Sequence, residues 1–221
     1  LSSFKNSNVK NLIFSSTCAV YKDGLQKVSE KSKLKPTSVY GKTKLSGERL
    51  IKNFCKENKI NFGILRFFNV VGASLSGKIG QINRGDQLFK NFSLESKKKK
   101  AVFNIYGYDY KTFDGTCVRD FIHVSDLAEI HIKVLLKINN FNRSIILNCG
   151  YGKGWSVLEV ANQFNYFTRN KTKINFKERR KGDIVEMVAN ISKLRKIFKW
   201  KPKFFDLKKM VKSSIEWEKN I

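Results

Sequence analysis

Apolar and polar positions along the chain change their period several times, and each change marks an element. Asn11-Leu12-Ile13-Phe14-Ser15-Ser16 opens on an apolar run and closes on small hydroxyl residues. That pattern predicts a buried parallel strand whose carboxyl end faces a site. A polar stretch from Lys22 to Pro36 shows no clear period. From Thr37 to about Lys56 the apolar residues Leu45, Leu50, Ile51, Phe54 and Cys55 recur with helical spacing, which predicts one amphipathic helix. Ile60 to Val71 is strand-like again, with Ile64, Leu65, Phe67 and Phe68 almost continuous, as suits a strand covered on both faces. Strand, helix and strand in this order predict a right-handed crossover in an α/β sheet.

Ser74 to Gly85 carries three glycines and reads as a loop, followed by a helix near Gln87 to Ser96 that ends on Lys97–Lys100, a solvated terminus complementing the helix dipole. Beyond it the pattern predicts a strand at Val102–Tyr106, a helix at Val124–Ile138 and a strand at Ile145–Asn148. Helices follow at about Val157–Thr168, Ser192–Phe198 and Leu207–Glu218, with a strand at Lys173–Phe176. No internal repeat is seen.

The chain has 221 residues, 41% hydrophobic and 13% aromatic, enough for a packed core. It has 2 Pro and 14 Gly, which excludes collagen-like or linker-dominated chains. Lys and Arg number 44 against 18 Asp and Glu, a net charge of +26 that by itself suggests a polyanion-binding protein. The basic residues are spread through every segment and no recognition helix, zinc finger or aromatic strand motif accompanies them, so no nucleic-acid partner is expected. Lys, Asn, Ile and Phe are abundant together, and the excess reads as coding bias. Cys18, Cys55, Cys117 and Cys149 are too far apart for a metal knuckle or a compact disulfide framework, which points to a reducing, cytoplasmic compartment. With His123 and His131 as the two imidazoles, no metal is expected. No run approaches the length of a membrane span, and no membrane partner is expected.

Tyr40 and Lys44 stand at i and i+4, on one face of the predicted helix. Upstream, Ser15-Ser16-Thr17 closes a strand, so a hydroxyl can come beside the phenol. An ammonium next to a phenol favours the tyrosinate, and a neighbouring hydroxyl can hold a substrate oxygen: together they form a general base for an alcohol that is to lose hydride. Gly150-Tyr151-Gly152-Lys153-Gly154 has neither the Walker spacing nor Gly-x-Gly-x-x-Gly, and reads as a tight strand-to-helix turn. Asp114 through Asp120 and Arg179 to Asp183 are polar clusters whose arginines, on separate loops, suit a diphosphate.

Five segments, in order and spacing, resemble the UDP-glucose 4-epimerases of the extended short-chain dehydrogenase/reductase family: Phe14 to Tyr21, Tyr40 to Lys44, Leu65 to Ala73, Asp114 to Val124 and Arg179 to Asp183. The resemblance covers essentially the whole chain. It implies an α/β fold: a Rossmann-type doubly wound parallel sheet, incomplete at the N-terminus, with a smaller C-terminal α/β substrate domain. Residues 1–72, with returning segments around 120–150, would belong to the NAD-binding half, and 73–119 with 151–221 to the UDP-sugar half. It also implies that the glycine-rich loop and the acidic residue for the adenosine ribose lie upstream of the segment matching Leu1, an N-terminal truncation that would leave the chain inactive on its own.

The resemblance further implies that Tyr40 is the base, Thr17 its hydroxyl partner and Lys44 the residue on the nicotinamide ribose, with Phe68 against the cofactor. Asn69, Leu88, Asn104, Ile105, Tyr106, Arg119, Arg180 and Asp183 would face the UDP moiety. The implied reaction is transient oxidation at C4 by bound NAD, rotation of the 4-keto sugar and return of hydride to its other face. Lys22 stands where the family usually has Gly. Met187 stands at the sugar-pocket position where many members carry Tyr or a smaller residue, and it bears on hexose against N-acetylhexosamine. UDP-N-acetylhexosamine and UDP-pentose epimerases are the close alternatives; a dTDP-sugar dehydratase fits less well, since Thr17-Cys18-Ala19 stands where that branch has Thr-Asp-Glu. A homodimer through helices flanking the Tyr-Lys region is also implied.

Overall fold

A computed structural model describes residues 1–5, 7–83, 85, 87–169 and 172–221. In chain order the elements are α1 (Ser2–Lys5), β1 (Asn11–Thr17), a 3-10 turn (Cys18–Val20), β2 (Lys27–Val28), α2 (Val39–Glu57), β3 (Asn61–Phe67), β4 (Asn69–Val71), α3 (Leu88–Glu95) and β5 (Val102–Tyr106). They continue with β6 (Val118–His123), α4 (Val124–Phe141), β7 (Ile145–Cys149), β8 (Gly154–Ser156), α5 (Val157–Phe167), β9 (Lys173–Lys177), β10 (Glu186–Ala189), α6 (Ser192–Phe198) and α7 (Leu207–Lys219).

Among the described residues the strands form three sheets. β1, β3 and β7 lie side by side in parallel, with Asn11 opposite Asn61 and Gly63 opposite Ile145. A second sheet runs β2-β10-β6-β4 in parallel, and β8 pairs antiparallel with β6. β5 and β9 form a parallel pair. The α/β class with parallel sheets is the one the periodicity predicts.

The apolar run from Ile60 to Val71, read from sequence as one strand, is two. It breaks at Phe68, whose N–H donates to Cys149 O at 3.0 Å, and the chain passes from the first sheet into the second. Both halves need apolar residues to cover a sheet, so hydrophobicity does not mark the join. β6 is the other difference. Its charged residues read as a loop, yet Asp120 is fully buried and accepts backbone N–H groups from Tyr151 (2.8 Å), Gly152 (2.8 Å) and Ala189 (3.2 Å). The strand thereby ties three segments together. The 150–154 turn is followed at once by β8, and Gly152 takes a positive φ of 73°.

The core continues across the sheets into a ring cluster of Phe89, Phe92, Phe103, Phe121 and Phe164, with Phe92 stacked on Phe103 at 4.4 Å. This cluster seats α3 and α5 against β5 and so fixes one wall of the cleft described below. The loop between β4 and α3 agrees with the sequence reading, except at residues 84 and 86, where that reading lies outside the described residues.

Candidate functional site

β1 ends at Thr17, whose Oγ1 accepts the Ala19 N–H at 3.2 Å and turns the chain into the 3-10 segment. α2 begins under Ser38, whose Oγ accepts the Gly41 N–H at 3.0 Å. A Cβ at Gly41 would lie 2.3 Å from Ala19 O, so only glycine lets the first turn of α2 press on the turn after Thr17. That approach sets Tyr40 beside the carboxyl end of β1. One helical turn on, Lys44 Nζ donates to Ser15 O at 3.0 Å and lies 5.7 Å from the Tyr40 ring centroid. Thr17, Tyr40 and Lys44 therefore gather at one end of the first sheet, and Phe68, buried, follows the adjacent strand β3 at the same end. Tyr40 is 57% exposed.

Beneath this group lies a buried polar network that the sequence reading missed. Arg66 donates from Nε and Nη2 to both oxygens of Glu48 (2.9 and 2.7 Å), and from Nη1 to Tyr21 OH at 3.0 Å. Ser16 Oγ donates to Glu48 at 2.6 Å, and Tyr21 OH donates to Asn148 Oδ1 at 2.6 Å. The network crosses β1, β3 and β7 and fixes the strand end that carries Thr17. Burial pushes the Tyr21 phenol up to about 12 despite the Arg66 charge. Burial also opposes the charge on Glu48, but hydrogen bonds from Arg66 and Ser16 outweigh it and hold the carboxyl below its ordinary value. One signal could have found it: a charged Arg66 inside an apolar strand run must be paired.

A second feature is a cleft of about 820 Å³, lined by residues from β4, α3, β5, β6, α7 and the loop after β9. Asn69, Leu88, Asn104, Tyr106, Arg119, Arg180 and Asp183, seven residues singled out from sequence, all line it. The Arg180 guanidinium sits 4.3 Å over the Tyr106 ring and 3.6 Å from Asp183. Arg119 Nη1 donates to Val118 O at 3.0 Å, which holds the side chain along β6. Arg179 is engaged elsewhere, donating to Asp109 at 2.7 Å and covering the Tyr110 ring. Ile105 and Met187 pack their side chains into the core, 1% and 2% exposed, rather than into the cleft. Cys117 also lines the cleft; burial pushes its thiol up, against the lowering effect of Arg119.

Thr17, Tyr40, Lys44 and Phe68 are not among the cleft-lining residues, so the predicted site residues fall into two groups. Among the described residues, no cluster of three or more His, Cys, Asp or Glu is placed to hold a metal, and no helix is long and apolar enough to cross a membrane.

Known proteins resemble the chain over most of its length. Residues 1–150 match the model of the NAD dependent epimerase/dehydratase family. A UDP-glucose 4-epimerase of Azospirillum brasilense is 35% identical over 217 residues, covering 96% of this chain and 62% of that protein. UDP-arabinose 4-epimerase 1 of Arabidopsis thaliana is 37% identical over 218 residues, covering 96% of this chain and 52% of that protein. Among solved structures, the UDP-glucose-4-epimerase of Stenotrophomonas maltophila with bound NAD and formylated UDP-arabinopyranose superposes with a TM-score of 0.93 at 32% identity, over 99% of this chain and 66% of that one. The Bifidobacterium longum enzyme in complex with NAD+ and UDP gives 0.88 at 33% identity, with the same coverage. The chain thus spans about half to two thirds of the length of the proteins it matches. With 150 of its 221 residues inside the family pattern, the chain belongs to the NAD dependent epimerase/dehydratase family.

Proposed function

We propose that the protein is a UDP-sugar 4-epimerase that interconverts UDP-glucose and UDP-galactose. The observation that carries this reading is the pairing of a Tyr-Lys-Thr group at the end of a parallel strand with a two-arginine cleft in the same chain. The carboxyl end of a parallel sheet is where doubly wound folds hold a dinucleotide, and an ammonium and a phenol there fit a nicotinamide ribose. NAD, when bound, supplies the hydride acceptor and donor for C4 of the sugar.

The chain's own residues supply the rest. Tyr40 takes the proton of the sugar 4-hydroxyl and later returns it, Thr17 orients that oxygen, and Lys44 favours the phenolate. Arg119 and Arg180 hold the diphosphate while Asn69, Leu88, Asp183 and the Asn104–Tyr106 segment, with Ile105 through its backbone, frame the nucleotide. Anchoring through UDP leaves the hexose free to turn between the two proton transfers. Phe68 abuts the cofactor, and Met187, from behind the cleft, sets the room for the sugar. Residues 1–72 and 120–150 form the cofactor half in this reading, and 73–119 with 151–221 the nucleotide-sugar half. A role in galactose metabolism, a cytoplasmic location consistent with four free cysteines, and a homodimer through α2, where Val39 and Leu50 are exposed, belong to the same reading.

The test is a coupled assay, with NAD, of the full-length protein that includes the segment expected upstream of Leu1, on UDP-glucose, UDP-galactose, their N-acetyl forms and UDP-arabinose. Interconversion of the hexose pair is expected; conversion of the pentose alone would move the protein to the arabinose branch, which the 37% identity to the Arabidopsis protein favours as the second reading. Absence of UDP binding by calorimetry would sink both.

A further inference from the structure

Thr17 and Tyr40 stand outside the cleft, yet both groups have to act on one substrate, so the distance between them must be held. The chain between Thr17 and Tyr40 is placed to hold it. It leaves the first sheet at the end of β1, crosses to the second and returns to α2 under Ser38. On the way β2 pairs in parallel with β10, Lys27 opposite Val188 and Val28 opposite Ala189. Gln26 O accepts the Val188 N–H at 2.8 Å, and Val28 O accepts the Asn190 N–H at 2.7 Å. The start of β10 pairs in turn with β6, Met187 opposite Arg119. A hydrogen-bonded ladder therefore runs from the loop that follows Thr17 to the strand that carries Arg119 into the cleft.

A strand as short as β2 holds little by itself. Its clip is Asn148, fully buried on β7 of the first sheet. Asn148 Nδ2 donates to Val28 O at 2.9 Å, and the Asn148 backbone N–H donates to Glu30 Oε1 at 2.9 Å. Arg66 Nη1 donates to Glu30 O at 3.2 Å. The first sheet thus grips residues 28–30 at three points, two of them on Asn148. Glu30 is a half-buried loop residue, and one of its carboxylate oxygens accepts a main-chain N–H from a strand of that sheet. Such a contact fixes position rather than charge, and an amide oxygen would serve as well.

Resting on the reading of Tyr40 as the base and of the cleft as the UDP site, we propose that Glu30 is a positioning residue. By gripping Asn148 it sets the register of β2 and β10 against the first sheet, and so the distance from Thr17 and Tyr40 to Arg119. Nucleotide binding draws on the cleft and does not need that register. Proton transfer does, because a small misplacement of the reacting groups is costly.

The experiment uses the full-length protein that includes the segment expected upstream of Leu1, in native form and as Glu30→Ala, Glu30→Gln and Tyr40→Phe. Turnover of UDP-glucose, UDP affinity by calorimetry and the urea midpoint are measured for each. Glu30→Ala should lower kcat about tenfold to a hundredfold while UDP affinity stays within about twofold. Glu30→Gln, which can accept the same N–H, should keep kcat within about threefold. A merely structural role would lower the urea midpoint and leave kcat per folded molecule at the native value, and that result overturns the inference. Equal losses of kcat in Glu30→Ala and Glu30→Gln overturn it too, since they would assign the effect to charge. If Glu30→Ala does not fold, Glu30→Asp, a methylene short of Asn148, takes its place with the same expectation. Native protein without turnover, or turnover that survives Tyr40→Phe, overturns the reading of Tyr40 and this inference with it.

Discussion

The cleft and the Tyr40 group differ in how they are held. The cleft is assembled from eight separate segments, its arginines backed by main-chain carbonyls and aromatic rings and one wall closed by a buried ion pair. The Tyr40 group rests on one strand end and one helix, over a buried network, with Tyr40 itself 57% exposed. Binding needs many contacts converging on an anchor that does not move; proton transfer needs one group in the right place with access to a substrate that turns. The two regions should therefore fail in different ways when broken, and each of the following changes tests that separation.

The largest effect is expected from Tyr40→Phe. Losing the phenol removes the base, and turnover should fall by about a thousandfold or more. UDP affinity should stay within about twofold, since a cleft built without Tyr40 has lost nothing. A parallel fall in both, measured by the coupled assay and by calorimetry, would show that the two regions are one site.

Next is the network beneath Tyr40. Glu48→Leu leaves the Arg66 guanidinium buried with its bidentate partner gone, which should cost about 3–5 kcal/mol of stability in urea unfolding. The double change Glu48→Leu with Arg66→Met should recover much of it. This region shows what sequence could and could not disclose. The Tyr40 and Lys44 spacing was legible because it lies within one helix, where period fixes neighbours. Glu48, Arg66, Tyr21 and Asn148 meet only through the pairing of β1, β3 and β7, and no local spacing encodes that. Likewise the seven cleft residues were found by their likeness to a motif series, not by periodicity, and β2, β8 and β10 escaped because two to four residues are too few to show a period. β6 escaped for a different reason: Asp120 satisfies backbone donors from distant segments, so a buried strand carries a charge that reads as surface.

Arg180→Met should act on the cleft alone. Removing one charged donor from a diphosphate weakens UDP binding by roughly tenfold to a hundredfold, with kcat at saturating substrate nearly unchanged. Arg179→Met is the control, because its guanidinium is committed to Asp109, and UDP affinity should hardly move.

The smallest net effect concerns acid, and it falls on the strand that carries Arg119 into the cleft. His123 is buried against Phe204, its Nδ1 accepting the Ser125 N–H at 3.1 Å and its Nε2 facing Ser213 Oγ at 3.1 Å. Burial lowers it from 6.5 to about 4. Between those values the unfolded chain binds a proton that the folded chain does not, so His123 loses stability as pH falls. Asp120, three residues earlier, is raised by burial from 3.8 to about 6, against its three backbone donors. There the folded chain binds the extra proton, and Asp120 gains stability over the same fall in pH. Each contribution is on the order of 3 kcal/mol and the signs are opposite, so native stability should be nearly flat between about pH 6.5 and 4.5. Single variants should uncover the hidden slopes. His123→Gln should become more resistant to urea as the pH is lowered through this window, and Asp120→Asn less resistant. Equal slopes in the two variants would mean that these neighbours on β6 do not titrate as their burial requires.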